Sequence, residues 1–262
     1  MVVETDHVME PRAGAAPPAP PPPKIRELLT RDQVSAFARY RQLTYPGSSL
    51  LRFWLFELAT MLLLPMPGGL GMILRRKLLK GFFGAMGRDV IIGRNCVVRN
   101  PQRIFIGDGV VIDDNCVLDA RGAGDEGLRL ATGAFLSRGV QIKSKGGPIH
   151  IGRDVTIGDA SQIVSQSGIR IGDTAAIAAA CQIFGGTFAL SDFSKPAHER
   201  RSVSAGPIEI GSGTWLATGV IVLDGARIGE NSVVSAGSVV ARSIPARCVA
   251  QGNPARKVFD IR

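Results

Sequence analysis

Aromatic residues are scarce, at 6% of the chain, with two Trp and two Tyr beside eleven Phe. A core built on few large side chains and 32 glycines does not suit a helix bundle and points to tight, repetitive turns. Histidine is scarcer still. His7, His150 and His198 are so placed along the chain that a metal held by three histidines is excluded. Cys96, Cys116, Cys181 and Cys248 form no CxxC motif and no pair at metal-ligand spacing. The opening residues are acidic and Pro-rich where a secretory signal needs a basic and then an apolar region, so the expectation is a reducing cytoplasm with free thiols.

An unbroken apolar run of spanning length is also missing. The stretch from Leu58 to Leu74 carries no charge, yet Pro65, Pro67, Gly68, Gly69 and Gly71 interrupt it, and a spanning helix needs about 20 residues. Two short helices are predicted instead, followed by the basic cluster Arg75, Arg76, Lys77 and Lys80. Such a pair can lie in one leaflet of an anionic membrane with Trp54 at headgroup level. It can equally cover one end of the fold or pack between subunits.

What is present is positive charge, +9 overall, concentrated at the two ends of the sequence and balanced in the middle. A nucleic-acid binder would carry a basic stripe with interleaved aromatics and a recognisable motif, and neither is found. Residues 1–24 include the Pro/Ala tract PRAGAAPPAPPPP and are read as a disordered tail, and residues 25–86 as a helical, membrane-associating extension. Residues 246–262 are read as a basic C-terminal segment.

Between them, over 87–245, runs a period of six: an aliphatic residue, then Gly or a small residue, and a second small residue three positions on. Examples are Ile92-Gly93 with Cys96, Ile157-Gly158 with Ser161 and Ile177-Ala178 with Cys181. Neither a helical nor an alternating period explains a strict six. A triangular prism does, one hexad per side and three per coil. The phase resets by two at Ile104/Ile106, Leu128/Leu130, Ile149/Ile151, Ile169/Ile171 and Ile208/Ile210, which marks coil starts and predicts about seven coils. The last interval is about 19 residues too long for one coil, so a loop is extruded over 185–206. The cysteines at the small position are packing residues.

The segment from Gly206 to Lys257, together with these repeats, resembles the hexapeptide-repeat acyltransferases, which include sugar and polysaccharide O-acetyltransferases. The resemblance implies an all-β, left-handed parallel β-helix, a homotrimer with sites in the clefts between prisms, acetyl-CoA or another acyl-CoA as co-substrate, and a saccharide acceptor. It assigns Trp215 and Ala217 of TWLATG to the pantetheine and acyl end. Ala236, Gly237 and Ser238 fall on the coil facing the pantetheine amides, and Arg242, Arg256 and Lys257 fall near the adenosine phosphates. The C-terminal charge excess agrees, although a merely solvated basic tail would also produce it.

Relatives read Gly-Gly-x-His early in the loop, where this chain has Gly185-Gly186-Thr187-Phe188. Phenylalanine cannot take a proton. His198, in the same loop, is the remaining imidazole able to reach the cleft as general base, with Asp192 to orient it or to bind the acceptor. The other readings are a carboxylate base, Asp192 or Glu199, and a base-free scaffold or pseudoenzyme. The expected role is acyl transfer to a sugar hydroxyl or amine in polysaccharide or lipid-linked saccharide synthesis, peripheral to the inner face of the membrane.

Overall fold

The computed structural model describes residues 35–189, 196 and 199–261. Its body is a left-handed parallel β-helix of seven coils with three faces. The first coil comprises strands Ala85–Met86, Ile91–Ile92 and Val97–Arg99, one on each face. Register on the first face places Ile104, Leu128, Ile149, Ile169 and Ile208 in one vertical row, spaced 24, 21, 20 and 39 residues apart, as the phase resets predict. Three inward columns fill the prism. One runs Ile106, Leu130, Ile151, Ile171, Ile210; a second Ile112, Leu136, Ile157, Ile177, Leu216; a third Leu118, Ile142, Ile163, Ile183, Val222. All of them are buried. Such stacked aliphatic rows bury apolar surface on every coil at a cost in variety, since each side chain must fit the one above.

Two different demands hide inside the hexad. The Gly after the inward aliphatic residue is required by close approach: a Cβ on Gly158 would lie 2.5 Å from the backbone N of Ala179 in the next coil. The residue just before each small inward position has a second requirement, a left-handed backbone. On the corners leading to the second and third faces, φ at this position lies between +53° and +73°, in residues as different as Asn95, Asn115, Asp154, Gly219 and Arg247. Gly, Asn and Asp tolerate that region; Ala160, Thr174 and Ala180 occupy it under strain.

The small inward residues do more than fill space. Ser161 Oγ donates to the Ala178 carbonyl at 3.0 Å and accepts from Cys181 N at 3.1 Å. Thr214 Oγ1 donates to Gly229 O at 3.1 Å, Cys116 Sγ to Ser137 O at 3.2 Å and Cys181 Sγ to Ala217 O at 3.2 Å. Cys, Ser and Thr therefore interchange here because each is small and each offers a proton to the next coil's corner. All four thiols are free and buried, and burial pushes Cys96 up to about 12.

Three helices close the first coil: α1 (Ala36–Thr44), α2 (Leu50–Leu63) and α3 (Gly68–Leu79). Ser35 and Ser49 cap α1 and α2 by accepting from Ala38 N and Arg52 N, and the Pro65–Pro67 stretch separates α2 from α3. Phe53, Phe56 and Leu63 of α2 turn inward. The buried Arg75 guanidinium ties the cap to the prism, donating to Leu63 O and Met66 O at the α2–α3 turn and to Ile92 O in coil 1. No described helix is long and apolar enough to cross a membrane. The Pro/Ala tract lies outside the described residues. At the other end, the segment read as a basic tail is a strand pair, Cys248–Gly252 against Ala255–Asp260, that extends the second face antiparallel to itself.

Thr174 is the most strained corner residue, being β-branched at φ +58°. Thr174→Gly is expected to raise stability by about 0.5–1 kcal/mol after deducting the greater freedom of unfolded glycine, measured by chemical denaturation.

Candidate functional site

The predicted cofactor positions gather on the second face and on its corner with the third. Trp215 stands in the outward row of the second face between Ala176 and Val233, and 52% of it is exposed. Ala217 follows at the corner, its N–H donating to Val234 O at 2.9 Å, and Gly237 stacks on the same corner one coil later through Thr218 O at 3.0 Å. Ala236 and Gly237 are exposed. The Ser238 side chain is buried and its Oγ accepts from Gly252 N at 3.1 Å, which leaves only its backbone for a ligand. Arg256 and Lys257 lie on the terminal strand pair beside Gln251 and Ala250, and the Lys257 ammonium is held by Asp260 at 2.8 Å. Arg242 is exposed past the last third-face strand, apart from that group.

The extruded loop leaves elsewhere. It follows the third-face strand Gln182–Phe184 and returns to the first-face strand Ile208–Ile210, so its base sits at the corner opposite the second face. The base is built as a short antiparallel pair, Thr187 opposite Val203 and Phe188 opposite Ser202, with Ala189 N donating to Arg201 O at 2.9 Å. Phe188 is exposed. His198 and Asp192, the catalytic candidates, lie outside the described residues.

Sequence reasoning missed what holds this base. Asp224, at the corresponding corner one coil later, accepts from Gly186 N at 2.6 Å and Ser204 Oγ at 2.8 Å through Oδ1, and from Ala205 N through Oδ2. One carboxylate thus pins both ends of the loop. From the coil before, Ser167 Oγ adds contacts to Ser204 Oγ at 2.7 Å and Gly206 O at 2.8 Å. The signal was available in Leu223-Asp224-Gly225: a carboxylate at the corner directly above the insertion.

His150 is on the outward row of the first face, stacked between Arg129 and Arg170, and is half-buried. Its Nε2 is covered, lacks a hydrogen bond and sits 3.7 Å from the Glu126 carboxylate. Burial lowers its pKa, against the pull of Glu126, which keeps it neutral at pH 7. Among the described residues no three His, Cys, Asp or Glu side chains are grouped to hold a metal ion.

The repeat described as the bacterial transferase hexapeptide (six repeats) matches residues 207–242, within the coils whose register is given above. The chain thus carries the hexapeptide repeat of that family over these residues. Galactoside O-acetyltransferase of Escherichia coli is 34% identical to this hexapeptide-repeat chain over 122 residues, 45% of this chain and 57% of that one. A Staphylococcus aureus protein that carries the name of an acetyltransferase is 54% identical over 57 residues, 22% of this chain and 29% of its own. The chain thus spans between about a third and somewhat over half the length of these relatives. The N-acyltransferase AntD of Bacillus cereus, solved with dTDP and coenzyme A, shares the fold at TM-score 0.51 and 22% identity, over 72% of this chain and 89% of that one.

Because Asp224 accepts from backbone amides at both ends of the loop, Asp224→Ala should raise hydrogen exchange at the amides of Gly186 and Ala205 by at least tenfold while leaving Ile183 and Ile210 protected. Unchanged exchange at Gly186 and Ala205 would show that the strand pair holds the base unaided.

Proposed function

We propose that the protein transfers an acetyl or other acyl group from acyl-coenzyme A to a hydroxyl or amine of a sugar, in polysaccharide or lipid-linked saccharide synthesis at the inner face of a membrane. The likeness to galactoside O-acetyltransferase across 122 residues carries this reading. In it, Trp215, Ala217 and the Ala236–Ser238 backbone receive the pantetheine and acyl end of the donor, and Arg242, Arg256 and Lys257 its phosphates. Within the loop, His198 takes the proton of the acceptor hydroxyl, oriented by Asp192. The oxygen then attacks the thioester carbonyl, whose developing charge falls to backbone N–H donors, and the thiolate of coenzyme A leaves.

The placement of the two halves of this site supports a homotrimer. Trp215 is on the second face and the loop leaves from the corner opposite it, so a cleft containing both is most simply made by two chains side by side. The outward row of the second face, with Phe135 and Trp215 exposed, offers apolar surface for that contact. Light scattering on the purified protein is expected to give about three times the 27.7 kDa chain mass. A stable monomer would remove the cleft.

Phe188, in the place where relatives carry a histidine, favours a second reading, a trimeric scaffold of the same fold without turnover. Thiol release from acetyl-CoA with a galactoside acceptor separates the two. His198→Ala should lower turnover by roughly 100-fold with coenzyme A binding nearly unchanged. Full turnover in that variant moves the base to Asp192 or Glu199, and coenzyme A binding without turnover in the wild type establishes the scaffold.

A further inference from the structure

Helix α2 is apolar on two sides. Phe53, Phe56 and Leu63 turn into the core, and on the opposite side Leu51, Trp54, Leu55, Leu58, Met61 and Leu62 recur at the spacing of one helical stripe, each at least 50% exposed. The helix has two charged residues, and both are drawn into internal contacts: Glu57 accepts from Tyr40 Oη at 2.7 Å, and Arg52 donates to Tyr45 Oη at 2.5 Å and to Gly81 O at 2.6 Å. The outward stripe therefore carries no charge. Trp54 is held within it by stacking on Phe37, 5.7 Å between ring centroids. A contiguous exposed apolar surface of this kind marks an interaction site.

Beside α3 lies a groove of about 390 Å³ with Ile73 and Ile91 among its apolar walls and Arg76, Lys77, Lys80 and Arg88 among its basic ones. Arg76 and Arg88 are partly engaged, with Asp89 at 2.7 Å and Asp108 at 3.1 Å, whereas Lys77 makes no ion pair among the described residues. Over residues 35–90 the sequence has eight Lys and Arg against two acidic residues, Glu57 and Asp89.

We propose that the uncharged stripe of α2 and the cationic groove of α3 together form a docking surface for an anionic lipid bilayer, the stripe entering the acyl region and the groove taking phosphate headgroups. Charge decides between this occupant and a second copy of the chain. An isologous contact would bring two basic grooves of the same sign together, and the trimer contact proposed above uses Phe135 and Trp215 of the second face instead, whereas lipid phosphates neutralise the groove. The helix is 14 residues long, about 21 Å, which suits lying in one leaflet and not crossing it. This surface rests on the reading above only for the membrane as the site of work, and it stands on the geometry of the cap.

The test uses the full chain in co-sedimentation with phosphatidylcholine vesicles and with vesicles containing 30 mol% phosphatidylglycerol, alongside light scattering and turnover on a soluble sugar. The wild type should bind the anionic vesicles at least tenfold more tightly. The double substitution Leu55→Asp and Leu58→Asp should abolish binding to both kinds. Lys77→Glu with Lys80→Glu should remove the anionic preference by roughly fivefold per residue and leave the mass unchanged. All four positions are exposed, so melting temperatures should match the wild type. Absence of vesicle binding, equal binding by wild type and variants, or a fall in oligomer mass in the Leu variant would overturn the proposal. Vesicle binding without turnover on any sugar would uphold it while removing the proposed activity.

Discussion

A prism that turns sharply every six residues needs a residue at each regular corner that accepts positive φ, followed by a side chain small enough to sit inside the bend. The column of mostly Asn, Asp and Gly before the inward Val, Ala, Ser or Cys meets that need, and the rest follows from it. With the corner fixed, the aliphatic residue three positions later points inward, the next residue must be small to let the neighbouring coil pass, and hydroxyl or thiol groups can reach the carbonyl above. The third corner obeys a looser rule. It carries the two-residue phase resets, and there the chain can add residues without disturbing the stack, which is why the long loop emerges there and not from the other two corners.

The architecture was legible because the constraint repeats. A strict period of six with resets at 104, 128, 149, 169 and 208 gave the register of the first face, and the excess in the last interval gave the loop. The corner conformation itself was hidden, since Asn115, Thr174 and Arg247 share a backbone angle and no chemistry. The terminal strand pair was hidden for another reason: it is outside the repeat, antiparallel, and written in charged residues such as Arg256 and Lys257. The helical cap was readable as two interrupted apolar segments, but the division of α2 into an inward and an outward apolar face depends on what packs against it. No period in the sequence states that.

The candidate site was less legible than the fold because its parts are distributed around the prism. Trp215 and the coil-end positions share the second face, whereas Asp224 and Ser167 grip the loop at the opposite corner. Sequence adjacency gives no indication of this, since Trp215 and Asp224 are nine residues apart and on different sides. In the proposed function, donor-side residues on one face and a pinned loop at the far corner would make each chain half of a site. Contact between chains would then decide both the cleft's width and what the loop can reach.

The coils also act as a ruler. Trp215 belongs to the sixth coil and the helical cap rests on the first, and five steps of ~4.8 Å separate them by about 24 Å along the axis. Each coil is a self-similar rung, so inserting or removing one between Ile149 and Ile171 would shift that separation by one step without altering either end. The number of rungs thus behaves as a spacer setting, and the reach from cap to tryptophan is quantised in units of a single strand spacing.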